Sequence, residues 1–97
     1  MNSKQRAYLR KITAMEQPIF QIGKSSVTPE LTAAIDEAWE AREILKIHVL
    51  KNCMDDVKSI AYVLAERTHS EVVHVIGRKI VLYRPAKEEK DRKIILP

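Results

Sequence analysis

The residues with most to say about chemistry lie between positions 21 and 30: Gln21, Ile22, Gly23, Lys24, Ser25, Ser26, Val27, Thr28, Pro29 and Glu30. The order of residue types is that of a strand end, a short polar loop carrying one lysine, and a helix start. Pro29 is preset for a first helical turn, and Thr28 before it can cap free amides. Amides at a helix start, with the positive end of the helix dipole, attract anions. Gly23 lets a backbone come close to that corner. The chain carries 17 Lys and Arg against 13 Asp and Glu, a net charge of +4. The anion this balance favours is a nucleic-acid phosphate.

Catalysis has no comparable support. His48, His69 and His74 form no HxxxH or HExxH pattern, and Cys53 has no CxxC partner, so no metal site is expected. His48 and His74 fall on separate expected strands and can be neighbours. Asp55 and Asp56 are adjacent, and adjacent helical residues do not face one another, so a helix cap is the better reading than an acid/base pair. Ser25 and Ser26 have no evident base. With Gly23 and Gly77 as the two glycines there is neither a P-loop nor a dinucleotide fingerprint. No enzyme activity, no cofactor and no small-molecule substrate are expected. Cys53 reads as a buried thiol in a reducing compartment, which, with no secretory signal and no membrane-length apolar run, points to a cytoplasmic protein.

Ninety-seven residues make one domain. Residues 3–14 read as a helix with Ser3 as cap and Tyr8, Leu9 and Ile12 on one side. A short strand over 17–22 has Pro18 at its start, where proline is tolerated. A second helix spans Thr28 to about Arg42, with Leu31, Ala34, Ile35, Ala38 and Trp39 as its buried stripe. Residues 44–50 alternate as a strand, Leu45, Ile47 and Val49 to one side and Lys46 and His48 to the other. A third helix runs from Asp55 or Asp56 to about Thr68. Two β-rich runs, 71–76 and 79–84, join at Gly77-Arg78 in a tight hairpin, glycine supplying a positive φ. The expected fold is α/β (α+β), a two-layer sandwich of order α-βαβα-ββ with a four-stranded mixed sheet. Helices cover one face; the other is partly covered or exposed. Residues 1–86 make the domain. Residues 87–97 are a charged tail, KEEKDRK followed by apolar Ile94, Ile95 and Leu96, which either docks back on the body or lies free.

Charge is segregated along the chain. Lys4, Arg6, Arg10 and Lys11 occupy an acid-free start, and Arg78, Lys79 and Arg84 an acid-free hairpin, while residues 30–43 hold Glu30, Asp36, Glu37, Glu40 and Glu43 against Arg42. A one-sided positive field follows. The five aromatic residues are too few for a base-reading surface. Tyr83, between Lys79 and Arg84, is the one ring placed to stack on a base, and packing against the first helix is its other reading. Scarce rings favour backbone and shape recognition of structured RNA. The same charge segregation also fits a protein-interaction module with an acidic partner.

Three stretches, SKQRAYLRKIT, PIFQIGKSSVTPELTAAIDEAWEAREILKIHV and VVHVIGRKIVLYRP, resemble the CRM domain family (chloroplast RNA splicing and ribosome maturation), in its stand-alone bacterial YhbY-like form. The resemblance implies an αβαβαββ fold related to KH-like and initiation-factor C-terminal folds. It also implies RNA as partner: precursor or mature large-subunit rRNA in pre-ribosomal particles, with a role in large ribosomal subunit assembly. The family's GxxG loop falls on Gly23-Lys24-Ser25-Ser26, so serine replaces the second glycine. Ser26 is expected to take helical or β angles there, its hydroxyl free to donate to phosphate. The expected RNA contacts are the loop residues Gly23, Lys24, Ser25 and Ser26, then Thr28, the hairpin residues Arg78, Lys79 and Arg84, and the first-helix residues Lys4, Arg6, Arg10 and Lys11.

Overall fold

The structure, a computed structural model, describes residues 1–97. Its elements are α1 (Ser3–Thr13), β1 (Phe20–Ile22), α2 (Pro29–Ala38), β2 (Ile44–Val49), α3 (Val57–Arg67), β3 (Glu71–Ile76) and β4 (Lys79–Tyr83), with a 3-10 turn at Glu89–Asp91. One four-stranded sheet has the order β1-β2-β4-β3. β1 runs parallel to β2, and β4 runs antiparallel to both β2 and β3. This is the α+β class and element order expected from the sequence.

Local chemistry explains most boundaries. Thr28 caps α2, its Oγ1 accepting from the Leu31 amide at 3.1 Å, with Pro29 at the first helical position. Asp56 caps α3, accepting from the Ser59 amide at 3.0 Å. The α1 cap is Asn2 rather than Ser3: Asn2 Oδ1 accepts from the Gln5 amide at 2.8 Å, and Gln5 Oε1 accepts from the Asn2 amide at 3.1 Å. This reciprocal box ties down two amides where Ser3 would tie down one. α2 stops at Ala38, short of Arg42, because the amides of Trp39, Glu40 and Ala41 bond to carbonyls three residues back and tighten the last turn. β1 begins at Phe20 rather than Gln17, and its first bond to β2 comes just before it, from the Ile19 amide to the Lys46 carbonyl.

The main core lies between one sheet face and the helices α2 and α3. Ile22, Leu45, Ile47, Val49, Ile80 and Leu82 project from the sheet onto Ile35, Trp39, Ile60 and Leu64. Cys53 is buried in this core. A smaller cluster occupies one half of the opposite face, where Leu9 of α1 packs with Val73, Val81 and Tyr83. Tyr83 therefore packs with the first helix instead of offering a stacking ring; burial, with Glu43 and Glu71 nearby, also raises its phenol pKa. Tyr8 and Ile12, expected beside Leu9, lie at the surface at 38% exposure each.

The C-terminal segment closes this cluster. Ile94 and Leu96 pack against it. Glu43, itself buried, holds the segment by accepting from the amides of Ala86 (3.0 Å), Lys93 (2.6 Å) and Ile94 (2.9 Å). Burial alone would raise the Glu43 pKa, but these amides and the Arg92 charge outweigh it and hold the carboxyl below its ordinary value.

Candidate nucleic-acid interface

The sheet's geometry draws three connections to one end of the molecule. β1 and β2 are parallel, so the loop after Ile22 and the loop after Val49 leave from the same edge. β4 is antiparallel to β2, so the Gly77-Arg78 hairpin joins them there. Gly77 has φ +57°, the positive angle the hairpin demands. Gly23 lies against Asn52 and Leu50 of the neighbouring loop, where a Cβ would come 3.4 Å from Asn52 Oδ1, an ordinary contact distance. The Leu50 amide closes the corner onto the Ile22 carbonyl at 2.8 Å.

The lysine loop is a tight turn in which the Ser26 amide donates to the Gly23 carbonyl at 2.9 Å. Ser26 sits at φ +56°, in the left-handed region. The expectation of helical or β angles is corrected here: the turn demands the glycine-type angle, and serine adopts it at a cost of about 1–2 kcal/mol. Lys24 and Ser25 at its tip are exposed. The helix start behind them offers less to an anion than its sequence suggested. Thr28 Oγ1 takes the Leu31 amide, the Thr28 carbonyl takes the Thr32 amide, and Pro29 has no N–H.

The basic residues divide into two groups. Arg78 faces inward: its guanidinium donates to the carbonyls of Val49 (2.9 Å), Leu50 (2.8 Å) and Cys53 (3.1 Å), fastening the hairpin to the neighbouring loop. Arg6 donates to the Val72 and Val73 carbonyls, where a register shift in β3 takes backbone groups out of the ladder. Arg84 lies five residues along β4 from Lys79, about 17 Å of strand away. It is bound to Asp36 and to the Thr68 carbonyl, each at 3.2 Å. In contrast, Lys24, Lys79, Lys4, Arg10 and Lys11 are exposed and make no ion pair within the protein. Lys24 and Lys79 share the loop end. Lys4 and Lys11 lie on α1, which crosses the sheet from β3 to β2, as shown by Arg6 at the Val72 carbonyl and Lys46 at the Thr13 carbonyl.

Several roles on this face and at this end escaped the sequence reading. Lys51 is exposed in the loop after β2. Lys46 caps the end of α1 from below, its Nζ donating to the carbonyls of Thr13 (3.2 Å), Ala14 (3.4 Å) and Glu16 (3.1 Å). Gln21 pairs with His48, His48 with Lys79, and Lys79 with Ile76, so one residue from each strand forms a row across the sheet. This row lies on the face opposite the main core. The available signal was the alternation of β2, which assigns Lys46 and His48 to that face.

An α+β body with a lysine-tipped turn before α2 and a basic hairpin beside it defines a class of small single-sheet domains. A family model of the CRS1/YhbY (CRM) domain matches residues 1–84. The chain belongs to that family. It is 41% identical over 90 residues to YqeI of Bacillus subtilis, a candidate RNA-binding protein, covering 93% of this chain and 94% of that one. An RNA-binding protein of Haemophilus influenzae is 27% identical over 90 residues, covering 93% and 91%. The solution structure of SAV1595 from Staphylococcus aureus, a candidate RNA-binding protein, superposes with a TM-score of 0.82 at 45% identity, covering 100% of this chain and 99% of that one.

Proposed function

We propose that this protein binds structured RNA through its phosphate backbone and acts in assembly of the large ribosomal subunit, on precursor rRNA, in the cytoplasm and without catalysis. Residues 1–86 are the binding domain, and residues 87–97 a charged tail. The observation that carries the reading is the convergence of Lys24, Lys51 and Lys79 at one end of the sheet, exposed and unpaired, around a turn held in the glycine-type conformation. Family membership and the RNA-binding names of the relatives support RNA as the polyanion. Arg10, Lys11 and Lys4 extend the positive surface along α1. Arg6, Arg78 and Arg84 contribute charge, with donors engaged by the protein. No helix is long and apolar enough to cross a membrane.

Crosslinking in cells followed by sequencing of the bound RNA tests the assignment. Reads concentrated on large-subunit precursor rRNA are the expected result. Reads spread over messenger and transfer RNA in proportion to abundance would remove the ribosomal part of it.

A further inference from the structure

The sheet face opposite the main core is half covered. Val73, Val81, Tyr83 and Ile44 are sealed by Leu9 and the C-terminal segment. The next row, His74–Val81–Lys46, lies at the margin of α1. In the last row, Gln21–His48–Lys79–Ile76, Gln21, Lys79 and Ile76 are exposed and His48 is half-buried. The row lies at the loop end of the sheet, with His48 and Lys79 on the two inner strands, β2 and β4. The row spans three inter-strand steps, about 14 Å.

The charges facing the two histidines share one sign. His48 has Lys79 across from it on β4, Lys46 two positions before it on β2, and uncharged Gln21 on β1. His74 faces Arg10 of α1 and uncharged Val81 of β4; burial and then Arg10 lower its pKa. Of the segments bordering the open half, α1, β1, β2 and β4 carry no acidic residue. Glu16 lies in the connection after α1, and Glu71 is at the far end of β3, paired with the Met1 amine at 3.7 Å. Cations beside an imidazole disfavour its protonated form, as at His74, and a phosphate arriving among them reverses that balance.

We propose that the open half of this face is a second phosphate-binding surface, contiguous with the Lys24 loop, on which His48 and His74 protonate as RNA backbone seats against Lys79 and Arg10. The inference rests on RNA as the ligand. It adds proton uptake at named residues to the salt-sensitive contact at the loop. No covalent step is involved: each imidazole takes a proton from solvent and donates an N–H to a phosphate oxygen.

Anisotropy titrations of a labelled RNA hairpin, at fixed ionic strength, test it. Wild-type protein is expected to bind at least about tenfold more tightly at about pH 6 than at about pH 8, the consequence of two imidazole pKa values each raised by about one unit on binding. The His48→Gln/His74→Gln variant loses that tightening, and His69→Gln, altered at the surface beyond α3, keeps it. Calorimetry of the wild type in two buffers of different ionisation enthalpy gives a second readout that needs no variant: net proton uptake on binding near pH 7. Binding that ignores pH, tightening that survives in the double variant, or zero proton uptake each overturn this inference alone. Absence of binding at both pH values overturns the RNA reading and this inference with it.

Discussion

One face of the sheet carries two halves built from the same strands. On β4, Tyr83 and Val81 lie in the sealed half, under Leu9, Ile94 and Leu96, while Lys79, two residues beyond Val81 on the same side, lies in the open half. On β2, Ile44 is sealed, Lys46 holds the margin of α1, and His48 is half-buried in the row beyond it. The pleat puts alternate residues of a strand on one face, so backbone geometry treats both halves alike. The difference is set by side-chain type and by what lies above. Where the strands offer Ile, Val and Tyr, a helix and the C-terminal segment come down. Where they offer Gln21, His48 and Lys79, with Ile76 exposed at the outer strand, the face is left uncovered. The sealed half gives this thin body a second small core, and the open half is left for a ligand.

The sharpest break of this comparison is in the sealed half. Leu9 is fully buried, and Leu9→Ala is expected to cost about 2–5 kcal/mol in urea unfolding, while the fraction still folded binds RNA as before. A cost below about 0.5 kcal/mol would mean that α1 is not packed on the sheet. Arg78→Ala comes next, at about 2–3 kcal/mol, because three carbonyls lose a charged donor. Arg78→Lys keeps the charge without the fork, and should recover little of that stability.

Glu43 links the sealed half to pH. Its folded-state pKa is depressed, so its contribution is complete above the unfolded value near 4.5 and is lost as pH falls through the lower folded value. Thermal melts should show Tm falling below about pH 4.5 in the wild type, with a shallower fall in Glu43→Gln. Equal slopes would detach Glu43 from the tail. The smallest effect belongs to the loop: Ser26→Gly removes the strain of a positive φ and should raise stability by about 1 kcal/mol, with RNA affinity kept or improved. A loss of stability would place the turn in another conformation.

Much of the fold could be seen in local sequence. Thr28-Pro29 announced the start of α2, Asp56 that of α3, and Gly77 the hairpin, because caps and tight turns are decided by residues within three or four positions. The inward roles of Arg6, Arg78, Arg84 and Lys46 were hidden for the opposite reason. Each binds carbonyls freed by a bulge, a strand end or a helix end 16 to 67 residues away, and a basic residue in sequence does not show whether its donors face water or backbone. Glu43 was hidden likewise: it lies in an acidic run, yet its partners are amides 43 to 51 residues away. The loop lysine was legible, as was the face of His48 from the alternation of β2, but the place of Lys51 and Lys79 beside the loop was not, since sheet order and register set it.

The account turns on exposed lysines at the loop end meeting RNA phosphates. The direct measurement is the slope of log affinity against log salt for a structured RNA, in the wild type, in Lys24→Glu, and in Lys24→Ala/Lys51→Ala/Lys79→Ala. Lys24→Glu should weaken binding about tenfold and flatten the slope by about 1, and the triple variant should flatten it by about 2 to 3, each with Tm unchanged. A triple variant with wild-type affinity and wild-type slope would contradict the account.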